Sequence, residues 1–409
     1  MPKNKNKGKL ADGMRRLCIV GFGLIGFGAG SASAEDAGKE QTFFVQGFGT
    51  AAMAKTTSDD VEFVRDLSQP RGIGKRWSGK IDDVLGLQAT WKFAPQLEAV
   101  VQATSRYRYD RSFNPDFDWA YIKYDPTPSL SLRAGRLSTE FFMLADSRWV
   151  GYSFLTVRPP GDYFWYLPFY TIHGGDVAMS MRAGEGALRG KLFYGFSDGK
   201  VPVGDQQWNV DGSRMTGGYL EYQYGGWQVR ASYSNLRIAN DLPIAQVFQL
   251  PANTDFSHIS AKGKLAHYYS FGAVYDSGPW QIQFMLNHIE QRSKALENSD
   301  GGYALAGYRV GDVTPYVGLS WVKSKKRDVP VTGNPVVDFV TPYTMSDSHS
   351  DQKTGFLGFR WDFMRNMDLK VQWDAIRGEP SSLFPYREDN RARWDGTMNV
   401  FSMTLDFVF

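Results

Sequence analysis

The chain is poor in the residues and runs that several protein classes require. Its 409 residues include one cysteine and five histidines. Beyond its first 34 residues it has no apolar run approaching the ~18 residues of a membrane-crossing helix, which excludes a multi-span helical membrane protein. Charge of either sign is not in excess either, with 46 Lys plus Arg against 43 Asp plus Glu. Aromatics, in contrast, are abundant. The 61 Phe, Trp and Tyr residues carry too much apolar surface for a solvated coil, and 43 Gly with 19 Pro predict many turns instead of long helices.

Residues 1–34 read as a signal peptide. Lys3, Lys5, Lys7, Lys9, Arg15 and Arg16 form a basic start, Leu17–Gly30 is an apolar stretch broken by glycines, and Ala32-Ser33-Ala34 gives the small-x-small pattern of a cleavage site. Cleavage is expected after Ala34, by the general secretory route. Cys18 leaves with the leader, so the mature chain has no disulfide framework, thiolate metal site or haem attachment. Removing six basic residues and one acidic leaves 40 Lys plus Arg against 42 Asp plus Glu, a net of −2. The basic excess belongs to the leader and gives no reason to expect a nucleic-acid partner.

From Gln41 onward the period is two. Segment 96–108 sets Leu97, Ala99, Val101, Ala103 and Tyr107 against Glu98, Gln102, Thr104, Arg106 and Arg108, and segments 227–237 and 367–378 repeat the pattern. Two kinds of connection take turns between such segments. Short turns fall near Ala94-Pro95, Asp125–Pro128, Gly184–Gly186, Gly225-Gly226, Ser277–Pro279, Gly311-Asp312 and Arg365-Asn366. Longer polar stretches cover roughly 54–80, 109–115, 138–174, 198–213, 239–263, 292–300, 325–352 and 379–396. This predicts an all-β fold: a transmembrane antiparallel β-barrel over 35–409 of about 16 strands, with short periplasmic turns and long extracellular loops. A propeller would show a repeat of about 40–50 residues, and stacked sandwiches would need linkers; neither is present.

Tyr124, Tyr224, Trp227, Tyr275, Trp280, Trp361 and Phe363 flank the short turns and are expected to form a periplasmic aromatic girdle. Tyr107, Tyr109, Tyr268, Tyr269 and Trp321 would serve the opposite one. The last segment alternates Phe401, Met403, Leu405, Phe407 and terminal Phe409 outward with Ser402, Thr404 and Asp406 inward. In strand number, loop asymmetry and this Phe-ended strand, the chain resembles the general porins of Gram-negative bacteria. That resemblance implies an outer-membrane location, recognition of Phe407 and Phe409 by the barrel-assembly machinery, a homotrimer, contact with membrane lipid and lipopolysaccharide, and a third long loop folded into the lumen.

A barrel of about 16 strands leaves an aqueous channel. The third long loop, 138–174, carries eleven aromatics in 37 residues, too many to leave in water. With Glu140, Asp146, Arg148, Trp149, Arg158 and Asp162 it is the candidate constriction. Parity places Lys92, Arg106, Arg133, Arg182, Arg189, Lys191 and Arg230 on the polar face of strands 2 to 9, with Glu98 and Glu221 as the acidic minority. Clustered positive charge on a lumen wall lowers the entry barrier for anions, so passive diffusion of small hydrophilic solutes with a modest anion preference is expected. A substrate-specific channel for aromatic or hydrophobic compounds, or a non-conducting barrel serving interaction or structure, are the alternatives. His173, His258, His267, His288 and His349 show no catalytic or metal spacing, and neither enzyme activity nor a cofactor is expected.

Overall fold

In the segment Val313–Lys325 every second residue is buried and every other one exposed. The exposed set begins Val313, Pro315, Val317, Leu319 and Trp321, and the buried set is Thr314, Tyr316, Gly318, Ser320, Val322 and Ser324. An exposed Leu319 and a buried Ser320 invert the order of a water-soluble strand. They fit a sheet with hydrocarbon outside and packed polar groups inside.

The computed structural model describes residues 42–166, 170–388 and 391–409; the expected leader, residues 1–34, lies outside them. Among the described residues, sixteen strands close into one barrel. They are β1 (Phe43–Thr56), β2 (Val84–Ala94), β3 (Leu97–Arg106), β4 (Asp116–Thr127), β5 (Leu130–Ser138), β6 (Thr171–Ala183), β7 (Gly186–Ser197) and β8 (Arg214–Tyr224). The second half comprises β9 (Trp227–Arg237), β10 (Leu265–Ser277), β11 (Trp280–Gln291), β12 (Asn298–Tyr308), β13 (Val313–Lys325), β14 (Asp351–Met364), β15 (Met367–Gly378) and β16 (Thr397–Val408). Each pairs antiparallel with its neighbour in sequence, and β16 returns to β1 with Phe48 opposite Val408. At that seam the Phe409 ring covers Gly47 and the Phe407 ring covers Gly49. Gly225 and Gly278 hold φ of 57° and 58° in two of the short turns, where a side chain would be strained.

Strand number, parity and the alternation of short and long connections agree with the sequence reading. Its boundaries needed shifting: β1 runs on to Thr56 and β2 starts at Val84, so the first long loop is 57–83, and the third is 139–170. The register shifts between Gln102 and Ala103 and between Tyr124 and Thr127. Two girdle assignments were wrong. Tyr268 and Tyr269 are adjacent, so only one can face lipid. Tyr269 does, while Tyr268 is 2% exposed and faces inward. Tyr107 lies past the end of β3, buried beneath Lys80. A hairpin, Lys200–Val203 with Gln206–Asn209, and a helix, Pro335–Ser346, were not anticipated inside the long loops. Asn334 caps that helix through its side chain, with Pro335 at the first position.

Candidate functional site: the inward loop and the lumen wall

Loop 139–170 leaves β5 and turns into the barrel, its base closed by the Thr139 amide donating to the Tyr170 carbonyl at 3.0 Å. Inside, it touches the wall nearly all the way round. Phe141 stacks on Tyr268 of β10 at 4.8 Å, and Met143 packs over Gly272, where a Cβ would lie 2.8 Å from its sulfur. Further on, Lys370 of β15 donates to the Gly151 carbonyl at 2.7 Å, and Arg360 of β14 donates to the Tyr152 carbonyl at 2.7 Å. The Tyr152 hydroxyl donates to the carbonyl of Arg365 at 3.0 Å, and Arg365 sits in the short turn between β14 and β15. The loop therefore reaches the periplasmic end of the lumen. The return passes Gln372, which accepts from the Val157 amide at 3.1 Å, and ends in a helical turn, Gly161–Phe164. There the Tyr163 carbonyl accepts from Asn287 of β11, and Tyr166 meets Ser324 of β13.

Glu140 is where the loop meets the basic wall. Its carboxylate bonds the Lys191 ammonium and lies 3.3 Å from Arg133 and 3.6 Å from Arg230. Burial alone would raise the Glu140 carboxyl; the three cations outweigh it and hold the group well below the usual carboxylate range. The same cations have further acids. Arg133 pairs with Asp176 of β6 at 2.5 Å, Lys191 reaches Asp176 at 3.5 Å, and Arg230 pairs with Glu221 at 2.6 Å. Three cations thus stand against three carboxylates, with no formal excess at the centre of the ladder.

The other wall positions divide by height. Arg106 is buried, stacked on Trp149 at 4.3 Å and near Asp118 at 3.7 Å. Lys92 and Arg182 are exposed near the short turns, and Arg189 is half-buried. All seven predicted wall cations face inward, as parity required. Nearby, Lys123 pairs with Glu98 at 3.3 Å and with Asp125 at 2.9 Å.

The remaining loop residues take separate places. Asp146 is half-buried, and burial, reinforced by Glu140, pushes its carboxyl above the usual range. Arg148 is buried against Tyr170 at 3.9 Å, and burial lowers its guanidinium to about 10. Trp149 packs with Phe48 and Val84. Arg158 and Asp162 face away from the basic ladder. Arg158 is locked by Asp82 of the first loop at 2.6 Å, with Ser402 at 2.7 Å and Asp374 at 3.5 Å. Asp162 accepts from Ser320 at 2.6 Å and Gln352 at 2.7 Å, and its burial raises its carboxyl.

Several residues of this site were given no role in the sequence. Asp406 was placed inward on the last strand but not as part of the site; Asp176, Lys370 and Asp374 are likewise inward by parity, and charge on the lumen face of a strand was the available signal. Asp82 sits in an irregular loop and gave none. Gly151 also escaped notice. A Cβ there would lie 1.9 Å from an Asp406 carboxylate oxygen and 2.5 Å from the Thr50 hydroxyl, so the chain passes the wall as closely as a backbone can.

The sequence model of the Gram-negative porin family matches residues 22–379. No curated protein matches in sequence. Solved structures similar in fold include an anion-selective porin from Comamonas acidovorans, 14% identical with a TM-score of 0.55 over 90% of this chain and 99% of that one. Salmonella typhi OmpF in complex with daunomycin is 15% identical, with a TM-score of 0.54 over 90% of this chain and 97% of that one. The trimer form of OmpT from Vibrio cholerae is 13% identical, with a TM-score of 0.53 over 90% of this chain and 100% of that one. By a family match over most of its length, joined to a closed sixteen-strand barrel, the chain belongs to the Gram-negative porins and is a channel protein of the outer membrane.

Proposed function

We propose that the barrel passes small hydrophilic solutes by diffusion, that loop 139–170 sets the constriction, and that ion selection leans modestly toward anions. The observation that carries the reading is Glu140, which ties the loop to Lys191, Arg133 and Arg230 on the wall and leaves that ladder neutral. Selectivity then rests on the inward charges toward the short turns. On the β2–β7 side Lys92, Arg182 and Arg189 add to Lys123, against Glu98 and Asp125, and a small positive excess on one side of a pore mouth raises the local anion concentration. The fold relationship to an anion-selective porin is in keeping with this, and the trimer form of OmpT supports a homotrimer.

A second reading draws on the far wall. Lys370 and Asp406 are fully buried under the loop, as in a barrel that stays closed until the loop is displaced. Single-channel conductance in a planar bilayer under a KCl gradient separates the two. Discrete steps in the wild type, anion-leaning and enlarged on deleting 141–166, support the diffusion pore. Silence in the wild type with conductance after deletion supports the closed barrel, and silence in both overturns a channel set by this loop.

A further inference from the structure

The third loop is not the only long connection that turns inward. In the first, 57–83, Val61, Val64 and Asp82 are fully buried and Phe63, Leu67 and Gln69 nearly so. It is held there by the last loop, 379–396. Val61–Glu62 pairs antiparallel with Arg387–Glu388, and the Arg387 guanidinium donates to the carbonyls of Gln69 at 2.6 Å and Leu67 at 2.9 Å. The Gln69 side chain carries the hold further, donating to the Ile81 carbonyl and accepting from the Arg65 amide, each at 2.8 Å.

Asp82 lies one residue beyond Ile81, and there the first loop grips the third. Both of its carboxylate oxygens accept from Arg158 Nε, at 3.0 and 3.1 Å, and Oδ2 also accepts from Nη2 at 2.6 Å. Arg65 lies 3.4 Å from the same carboxylate and donates to the Arg148 carbonyl at 2.6 Å, while the Tyr170 hydroxyl bonds Asp66. Rings join all three loops. Phe63 of the first, Trp165 of the third and Tyr386 of the last are in mutual contact: Phe63 lies 6.1 Å from Trp165 and 6.5 Å from Tyr386, and the latter two are 5.7 Å apart.

We propose that the first and last loops are working parts of the constriction: Asp82 is the positioning residue that orients Arg158 and offsets its charge, and Arg387 is the clasp that keeps the first loop inward. This rests on the reading that loop 139–170 sets the constriction. Its physical content is a charge count. Arg65 and Arg158 stand against Asp82 and Asp374, the last 3.5 Å from Arg158. A carboxylate that grips a guanidinium bidentately fixes its orientation as well as its charge. Without Asp82 the group keeps one uncompensated positive charge beside the solute path, and Arg158 loses the bonds that aim it.

The test is single-channel current and reversal potential of the refolded barrel under a KCl gradient. Asp82→Asn should move the reversal potential toward the chloride value, by roughly fivefold in the permeability ratio for one unmasked charge near a narrow pore. Asp82→Glu keeps the charge and should stay near the wild type. Adding Arg158→Gln to Asp82→Asn should restore the wild-type ratio, which a merely loosened fold would not do. Arg387→Gln leaves the count beside Arg158 unchanged, so the ratio should hold while step changes in current become more frequent. If Asp82→Asn does not refold, Arg158→Gln should shift the ratio in the opposite sense, toward potassium. An unmoved reversal potential in the refolded charge variant, or steps no more frequent in Arg387→Gln, overturns the proposal while deletion of 141–166 still enlarges the current. A deletion without effect overturns the third-loop reading itself, and the proposal with it.

Discussion

Lys370, on the inner face of β15, donates a 2.7 Å hydrogen bond from Nζ to the carbonyl oxygen of Gly151, halfway along the inward loop. The same ammonium lies 3.1 Å from Asp406 and 3.6 Å from Asp368, and all three side chains are fully buried. A strand charge pair thus also pins the loop.

Replacing Lys370 with Met leaves Asp368 and Asp406 without their shared cation. Removing one partner of a buried ion pair typically costs ~3–5 kcal/mol. Urea unfolding of the refolded barrel, followed by tryptophan fluorescence, should show a loss of that order, and single-channel records should become noisier as segment 151–154 loosens. An unchanged midpoint would mean that the buried charges contribute nothing to stability.

Glu140→Gln removes the negative charge that balances Arg133, Lys191 and Arg230. A residual positive charge within a nanometre of a narrow pore is worth about 1 kcal/mol after salt screening, roughly fivefold in the chloride-to-potassium permeability ratio. The reversal potential under a KCl gradient should move toward the chloride value. No movement would place the conducting path away from Glu140.

The pH dependence of this contact has a definite sign. The Glu140 carboxyl is depressed in the folded barrel from its ordinary 4.5. Its contribution is therefore fully present above about pH 4.5 and is lost as pH falls from there toward the lower folded value. The part of the conductance that depends on Glu140, read as the difference between wild type and Glu140→Gln, should be level between pH 7 and pH 5 and change only in stronger acid.

Tyr152→Phe deletes only the hydroxyl that reaches the Arg365 carbonyl. The expected loss is about 1 kcal/mol, small enough to leave the barrel folded. Brief openings should become more frequent if this bond holds the lower end of the loop; unaltered dwell times would mean it does not.

What the sequence made legible follows from what has a period. Sixteen strands, their polar and apolar faces and the alternating connections all derive from a two-residue repeat, and the repeat also turned Lys92, Arg106, Arg133, Arg182, Arg189, Lys191 and Arg230 toward the lumen. The loops carry no period. Glu140 could be placed in the third loop, but its three partners come from β5, β7 and β9, and such proximity is a product of closure. Arg158 shows the same limit: its ligands, Asp82, Ser402 and Asp374, come from a loop and two strands remote from it in sequence. Tyr268 failed for another reason, since position near a strand end suggested a girdle and one-residue parity decided against it.

At Gly151 the loop has no clearance: Asp406 and Thr50 occupy the space a side chain would need. A segment held that closely cannot slide along the barrel, because any shift in register brings a neighbour with a Cβ, Val150 or Tyr152, against the same carboxylate. It can only lift away as a unit, breaking the Lys370 bond when it goes. Current through this protein should therefore switch between separate levels in abrupt jumps instead of varying smoothly with voltage.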